Sequence, residues 1–377
     1  MREKLNVLML VQLPPPIHGA ALRNQDLVNS DIFCSACDVT VIPIQTADNI
    51  GDVGAFRFKK IINVFDLIYK TIRVVTKEKI DIAYITLSAT GFALYKDVIL
   101  ILFAQLFGAK VVCHMRNRGL SRSISSASLG GRFFLTSILQ KCKFICMSNN
   151  LANDVNLVSP NPYIISNCLT KPASEIDEEK ICRRFDSKKI IYISNIAESK
   201  GALLFLDIVK SFNDMCFSKG LAIDFSFHVY GPFFSESERL RFNQHMNSKK
   251  IDNVVLEGPI YGDEKFKMLD ESSLMVFPTK YDKECFPGVI MEAFSCGVPV
   301  ISRGIAAIPE IISDGRNGFV HYDDPQEYAQ SIISVFEDKD KYFKMSCSAL
   351  DSYKNNMSHI VVHETIAKTL YMVKKGE

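Results

Sequence analysis

The stretch that most constrains this chain runs from Phe277 to Gly318, FPTKYDKECFPGVIMEAFSCGVPVISRGIAAIPEIISDGRNG. A short apolar run, SLMVF, leads into it, and a second, VPVIS, lies inside it. Between them Pro287 can open a helix, because its missing N–H would be unpaired in a first turn anyway. Gly297 can close that helix in the left-handed conformation, and Pro299 prevents its continuation. The spacing predicts a helix from Gly288 to Cys296, with Val289, Ile290, Ala293 and Phe294 on a buried face.

Two glutamates in this stretch, Glu284 and Glu292, have seven residues between them. Glu284 falls in the loop above the helix N-terminus, and Glu292 one turn into the helix. Free N–H groups and the helix dipole at that end favour an anionic ligand, typically phosphate. Each carboxylate can accept hydrogen bonds from hydroxyls such as those of sugars and riboses. The chemistry suggests a phosphate flanked by two polyols. The bland reading leaves Glu284 solvated and Glu292 merely facing water. The strand–loop–helix–Gly–Pro–strand context favours the functional one.

The stretch resembles the E-x7-E signature of the retaining glycosyltransferases of family 4, which have the GT-B fold. The matching residues are Phe277, Pro278, Glu284, Phe286, Glu292, Ala293, Gly297, Pro299, Pro309, Glu310, Gly315, Asn317 and Gly318. The resemblance implies a donor pocket in which Glu284 holds donor-sugar hydroxyls and Glu292 the ribose. Phe286, Gly288 and Val289 would belong to the same donor-binding turn.

At 377 residues two domains are the natural expectation, and an apolar content of 47% supports ordinary cores. The start, MREKLNVLML, leads into a strand rather than a cleavage site, so no signal peptide is read. The longest apolar run, Val98 to Ala109, is too short to span a bilayer. Eleven cysteines without paired spacing read as reduced, buried thiols of a cytoplasmic protein. The lone C-x-x-C, Cys34 and Cys37, lacks the second pair or the histidines a metal site needs. Residues 1–172 hold 19 basic and 11 acidic residues, against 25 and 31 in the remainder. No acidic residue lies between Asp97 and Asp154, a span containing Lys110, Arg116, Arg118, Arg122, Arg132, Lys141 and Lys143. That asymmetry points to an anionic partner for the first half.

In chain order, Leu5 to Leu13 reads as a buried strand of a parallel sheet. It breaks at Pro14-Pro15-Pro16, and Ile17-His18-Gly19-Ala20 leads into a helix, a candidate phosphate cradle. Asp38–Ile44 and Asp81–Ser88 read as strands, Phe56–Lys79 and Phe92–Phe107 as helices, and KVVCHMR as the fourth strand. This alternation predicts a doubly wound parallel sheet, with ligands outside the carboxyl ends of its strands. His114, Arg116 and Arg118 fall there. Residues 117–130 read as a mobile Gly/Ser-rich basic loop, followed by Gly131 to Gln140, which carries Phe133, Phe134, Ile138 and Leu139 with basic residues at each side. Leu120 or Phe133 could insert into a membrane, at least one of Phe133 and Phe134 being core. Lys143–Ser148 and Tyr163–Asn167 close the first domain, and 168–187 reads as a polar linker.

The second domain opens with KKIIYISNIAESKGALLFL, again strand, polar turn and helix. Further strands are expected over Phe225–Phe233, Asn253–Ile260 and Val320–Tyr322. Asp324-Pro325 makes an N-cap and N1 pair for a helix to Glu337, and Ser358 to Lys375 is an amphipathic tail.

The resemblance adds roles to these positions. The family's glycine-rich loop lies against the donor phosphates and sugar. Here His18 stands at a first glycine's place, or packs on the prolines, and Gly19 is retained. A histidine at the end of the fourth strand approaches the donor sugar, which His114 matches; a bond to a backbone carbonyl is its plain alternative. The family pattern G-R, four residues, K-G neutralises the leaving diphosphate. Lys200 matches its lysine, while Asn195 replaces the arginine and Ser194 the glycine. Arg303, Arg116 or Arg118 could supply the missing cation. The backbone at Pro259 and Ile260 would meet the nucleobase.

The implied architecture is α/β, a GT-B fold of two Rossmann-like doubly wound domains facing across a cleft. Residues 1–170, with the helix 358–377 packing back, would form the acceptor side, and 171–357 the nucleotide-sugar-binding domain. The implied reaction transfers a glycosyl group from a nucleotide diphosphate sugar to an acceptor hydroxyl with retention. Glu284, Lys200 and His114 are its expected catalytic residues. The acceptor would be a lipid-linked saccharide of a bacterial surface polysaccharide. His18, Arg116, Arg118 and Arg122 would lie on the acceptor or membrane side. No metal or other cofactor is expected, since the GT-B class does not need one, nor is nucleic acid. The expected location is cytoplasmic, peripheral on the inner face of the plasma membrane. Two other readings compete: a non-hydrolysing UDP-sugar 2-epimerase on the same fold, and a non-catalytic nucleotide-sugar-binding protein.

Overall fold

The computed structural model describes residues 4–16, 19–44, 56–221 and 224–376. The chain divides into two compact units, residues 1–168 with 359–377, and residues 169–358. Each is built on a six-stranded parallel sheet.

The first sheet comprises β1 (Leu5–Val11), β2 (Cys37–Pro43), β3 (Ile82–Leu87), β4 (Lys110–Met115), β5 (Lys143–Cys146) and β6 (Tyr163–Ile164), in the order β2-β1-β3-β4-β5-β6. The central strands are almost continuously apolar because helices cover both faces. Leu5, Val7, Met9 and Val11 pack with Ile82, Tyr84, Val112 and Ile145 on one side of the sheet. The helix His359–Lys375 adds Val362, Ile366, Leu370 and Val373 to that core.

Two expectations fail here. Residues 117–130 are not a loop: a helix runs from Leu120 to Ser126 and the next begins at Leu129. The first of these helices has Gly119 at its N-cap, which offers no side chain, and its cap comes from afar. The Asp154 carboxylate accepts from Gly119 N (2.7 Å), Leu120 N (2.9 Å) and Ser121 N (3.2 Å), occupying the orphan donors of that first turn. Leu120 is consequently fully buried, whereas Leu129 and Phe133 are 90% and 75% exposed. Leu120 therefore offers nothing to a membrane.

The second sheet comprises β7 (Lys189–Ile193), β8 (Ser226–Tyr230), β9 (Val254–Gly258), β10 (Leu274–Phe277), β11 (Val300–Arg303) and β12 (Gly318–His321), in the order β12-β11-β10-β7-β8-β9. Asp324 caps the helix Pro325–Phe336 through Gln326 N at 2.9 Å. The predicted linker at 168–187 ends in a helix, Glu178–Ser187, capped by Asp177. It is held by Arg184, 2% exposed. That guanidinium donates to Cys296 O (2.7 Å), Asp270 O (2.6 Å) and Asp270 Oδ1 (3.1 Å). A charged residue in a polar run reads as solvated until its carbonyl partners are known.

None of the eleven cysteines is in a disulfide, and Cys34, Cys182, Cys285 and Cys347 are only half-buried. Among the described residues no helix is long and apolar enough to cross a membrane.

Candidate functional site

The second sheet winds outward from β7 to β9 and then from β10 to β12, so its direction reverses between β7 and β10. A ligand site is expected outside the carboxyl ends of the strands at such a point. An open pocket of about 230 Å³ lies there. Ser194, Asn195 and Lys200 line it from the turn after β7, and Gly231 and Pro232 from the end of β8. Ile260, Tyr261 and Lys265 follow β9; Phe277 ends β10, and Glu284, Pro287, Gly288, Val289 and Glu292 belong to the stretch after it.

Local geometry explains how these residues meet. The helix Gly288–Ser295 has Pro287 as its N-cap and buries Ile290, Met291, Ala293 and Phe294. Val289, expected on that buried face, instead turns to the pocket. Pro287 provides no side-chain cap, so the first N–H groups of the helix are left for a ligand. Tyr192, nearly buried on β7, donates towards the carbonyls of Asn195 (3.3 Å) and Lys200 (3.2 Å) and so ties down the turn between them. Gly231 has φ 140°, and a Cβ there would lie 1.8 Å from Ser194 O. Glycine is required for β8 to pass the turn that carries Ser194 and Asn195.

Both signature glutamates are paired with lysines. Lys200 Nζ lies 2.7 Å from Glu284 Oε2, and 4.2 Å from the centre of the Tyr281 ring. Lys265 Nζ lies 2.6 Å from Glu292 Oε1. The four side chains are between 16% and 22% exposed, so each pair is reachable yet partly desolvated. Such a pocket offers two ammonium groups, two carboxylates and helix-end N–H groups, which suits an anionic ligand bearing hydroxyls.

Of the donor-binding positions expected from sequence, Asn195, Lys200, Ile260, Glu284, Gly288, Val289 and Glu292 line this pocket. Pro259 and Phe286 do not, and the Phe286 ring is buried, leaving its neighbour Pro287 to face the ligand space. Gly19 begins the helix Gly19–Val28 of the first unit. His18 lies outside the described residues. Arg303 does not stand in for the missing cation: both its Nε and Nη2 bond Asp323, at 3.0 and 2.8 Å, outside the pocket. Lys265 was not singled out from sequence. It lies on the helix Gly262–Asp270, in a charged run with no spacing that ties it to Glu292.

In the first unit, His114 is 1% exposed and its Nδ1 lies 2.5 Å from the Tyr84 hydroxyl, not against a backbone carbonyl. Arg116 lies close to the same hydroxyl and opposes the rise in its pKa. The Tyr84 hydroxyl and Nδ1 share this one hydrogen bond, and the other ring nitrogen is Nε2. That Nε2 is buried without a partner, as is Nε of Arg116. Burial, and then Arg116, hold the His114 pKa well below the ordinary histidine value, while burial pushes Tyr84 up to about 12. Arg116 also approaches Asn167 Oδ1 at 3.4 Å. Arg118 precedes the helix Leu120–Ser126, and Arg122 is exposed on it.

Comparison with known proteins agrees with this arrangement. Residues 187–338 match the family described as glycosyl transferases group 1. N-acetyl-alpha-D-glucosaminyl L-malate synthase of Bacillus anthracis is 26% identical over 314 residues, 79% of this chain and 77% of that protein. The putative colanic acid biosynthesis glycosyltransferase WcaL of Escherichia coli is 23% identical over 189 residues, 48% of this chain and 44% of that protein. The chain spans about half the length of the first curated relatives it matches, 58% and 46%. The crystal structure of Anabaena HepE in complex with UDP matches with a TM-score of 0.69 at 17% identity, over 98% of this chain and all of that one. The two parallel sheets with their interleaved helices are those of the GT-B fold.

Proposed function

We propose that this chain is a glycosyltransferase that moves a sugar from a nucleotide diphosphate sugar to an acceptor hydroxyl with retention, as in family 4. The observation that carries this reading is the convergence of Lys200, Glu284, Glu292 and the uncapped start of the helix Gly288–Ser295 on one pocket. Lys200 and the helix-end N–H groups neutralise the diphosphate as charge grows on it. Glu284 accepts from hydroxyls of the donor sugar and Glu292 from the ribose.

In the proposed reaction the anomeric carbon–oxygen bond to the diphosphate breaks. A new bond to the acceptor oxygen forms on the same face, and the acceptor proton passes to the leaving phosphate. Lys200 and the backbone supply the charge neutralisation, and no metal is invoked. His114, carried over from the family resemblance, is proposed to approach the donor sugar. The solved relative that carries UDP in its crystal supports a nucleotide donor.

The acceptor is read as a lipid-linked saccharide of a bacterial surface polysaccharide, in keeping with the relative named for colanic acid biosynthesis. The first unit would meet it at an anionic membrane surface on the cytoplasmic side. The exposed Leu129 and Phe133, with Arg118, Arg122 and Arg132 nearby in sequence, support that side of the reading.

The test is a thermal-shift panel of UDP, GDP and ADP sugars, followed by product analysis with lipid-linked acceptors. A glycosylated product with the donor's anomeric configuration is expected. An inverted product would remove the retaining assignment. An epimerised donor, or binding without turnover, would replace the reading with one of its competitors.

A further inference from the structure

Glu292 reaches the nucleotide pocket with one of its two carboxylate oxygens already engaged. Lys265 Nζ holds Oε1 at 2.6 Å, and the two side chains are only 20% and 18% exposed. Lys265 is twenty-seven residues from Glu292 and lies on a different helix, Gly262–Asp270. Both residues line the same pocket. A glutamate side chain near a helix start otherwise samples several rotamers, and ordering it on binding opposes affinity. An ammonium fixed to one oxygen removes that freedom and leaves the second oxygen, Oε2, to accept from a ligand. The arrangement parallels Lys200 with Glu284, but with a different consequence. Lys200 stands at the start of a helix facing the helix end where phosphate is read, whereas Lys265 stands on the side of the pocket formed after β9.

We infer that Lys265 is a positioning residue of the donor pocket: it anchors Oε1 of Glu292 and turns Oε2 toward the ribose hydroxyls of the nucleotide. This rests on the proposed donor reading.

The test is calorimetry with whichever of UDP, GDP and ADP binds the wild type best, and with its 2′,3′-dideoxy analogue. K265M should weaken the parent diphosphate by at least about tenfold, the least expected for a hydrogen bond to a charged group. It should change binding of the dideoxy analogue by less than about twofold, because the hydroxyls Glu292 serves are gone. K265R should restore most of the affinity, and K265M with E292A should bind no worse than E292A alone. Melting temperatures without ligand control for folding, with K265Q as a second variant. Unchanged binding by a folded K265M or K265Q overturns the inference. So does an equal loss on both ligands, which would place Lys265 on the diphosphate. Failure of the wild type to bind any of the three diphosphates would instead overturn the donor reading, and the inference with it.

Discussion

A Cβ on Gly201 would lie 2.0 Å from the carbonyl oxygen of Pro278. The turn that carries Lys200 and the loop that leads to Glu284 therefore touch backbone to backbone, and Lys280 N donates to Ser199 O at 2.9 Å across the same contact. Gly201 also has φ 79°, a conformation that costs an alanine about 1–2 kcal/mol before any clash. Gly201→Ala should lower stability by more than that amount and separate Lys200 from Glu284. Urea unfolding and donor affinity should both fall; an unchanged midpoint would show that the two loops yield freely.

Lys200→Ala should reduce turnover by at least about tenfold, the effect of roughly 1.4 kcal/mol. The ammonium is assigned to charge that develops on the diphosphate as the bond breaks. Steady-state kinetics should show the loss in kcat more than in acceptor KM. A residual rate within about threefold of wild type would mean that another cation holds the phosphate.

Glu292→Ala should weaken binding of the nucleoside diphosphate itself, by roughly 1.5–3 kcal/mol for a charge-assisted hydrogen bond. The donor sugar is not needed to see it, so calorimetry with the diphosphate alone decides. Equal affinity in a folded variant would remove Glu292 from the ribose.

Membrane docking should depend on Leu129 and Phe133, which are four residues apart on one helix face and exposed. Wild type should float with anionic vesicles, less so at high salt, and not with neutral ones. Leu129→Glu with Phe133→Glu, and separately Arg118→Glu with Arg122→Glu, should abolish flotation and leave nucleotide binding intact. Flotation by these variants equal to wild type would point to a soluble acceptor.

Acid should destabilise the first unit through its buried histidines. Burial, with His359, Arg116 and Arg23 adding to it, lowers His363 to about 4, and His114 is lowered in the same direction. Both are neutral in the folded chain, so the unfolded chain takes up protons first as pH falls. Stability should hold above about pH 6.5 and drop from there toward pH 4, by up to about 1.4 kcal/mol per pH unit for each histidine. Urea midpoints at pH 7, 5.5 and 4.5 measure this, and His363→Gln should flatten the slope.

The order of strands and helices was legible because each apolar run and its flanking Gly, Pro and cap residues lie within one local stretch, as from Phe277 to Gly318. Glu284, Glu292 and Lys200 could be named because each lies in or beside a local strand–turn–helix stretch that resembles a family motif. Tertiary structure decided what depends on residues distant in the chain. Asp154 turns 119–126 into a helix and buries Leu120, from more than thirty residues away. Arg184 makes a helix of an apparent linker by bonding carbonyls about ninety and more residues on. Asp323 withdraws Arg303, and Lys265 arrives at Glu292 from another helix. An ion pair or a cap leaves no periodic trace in the chain, because its energy depends on a distance that only the packed fold sets.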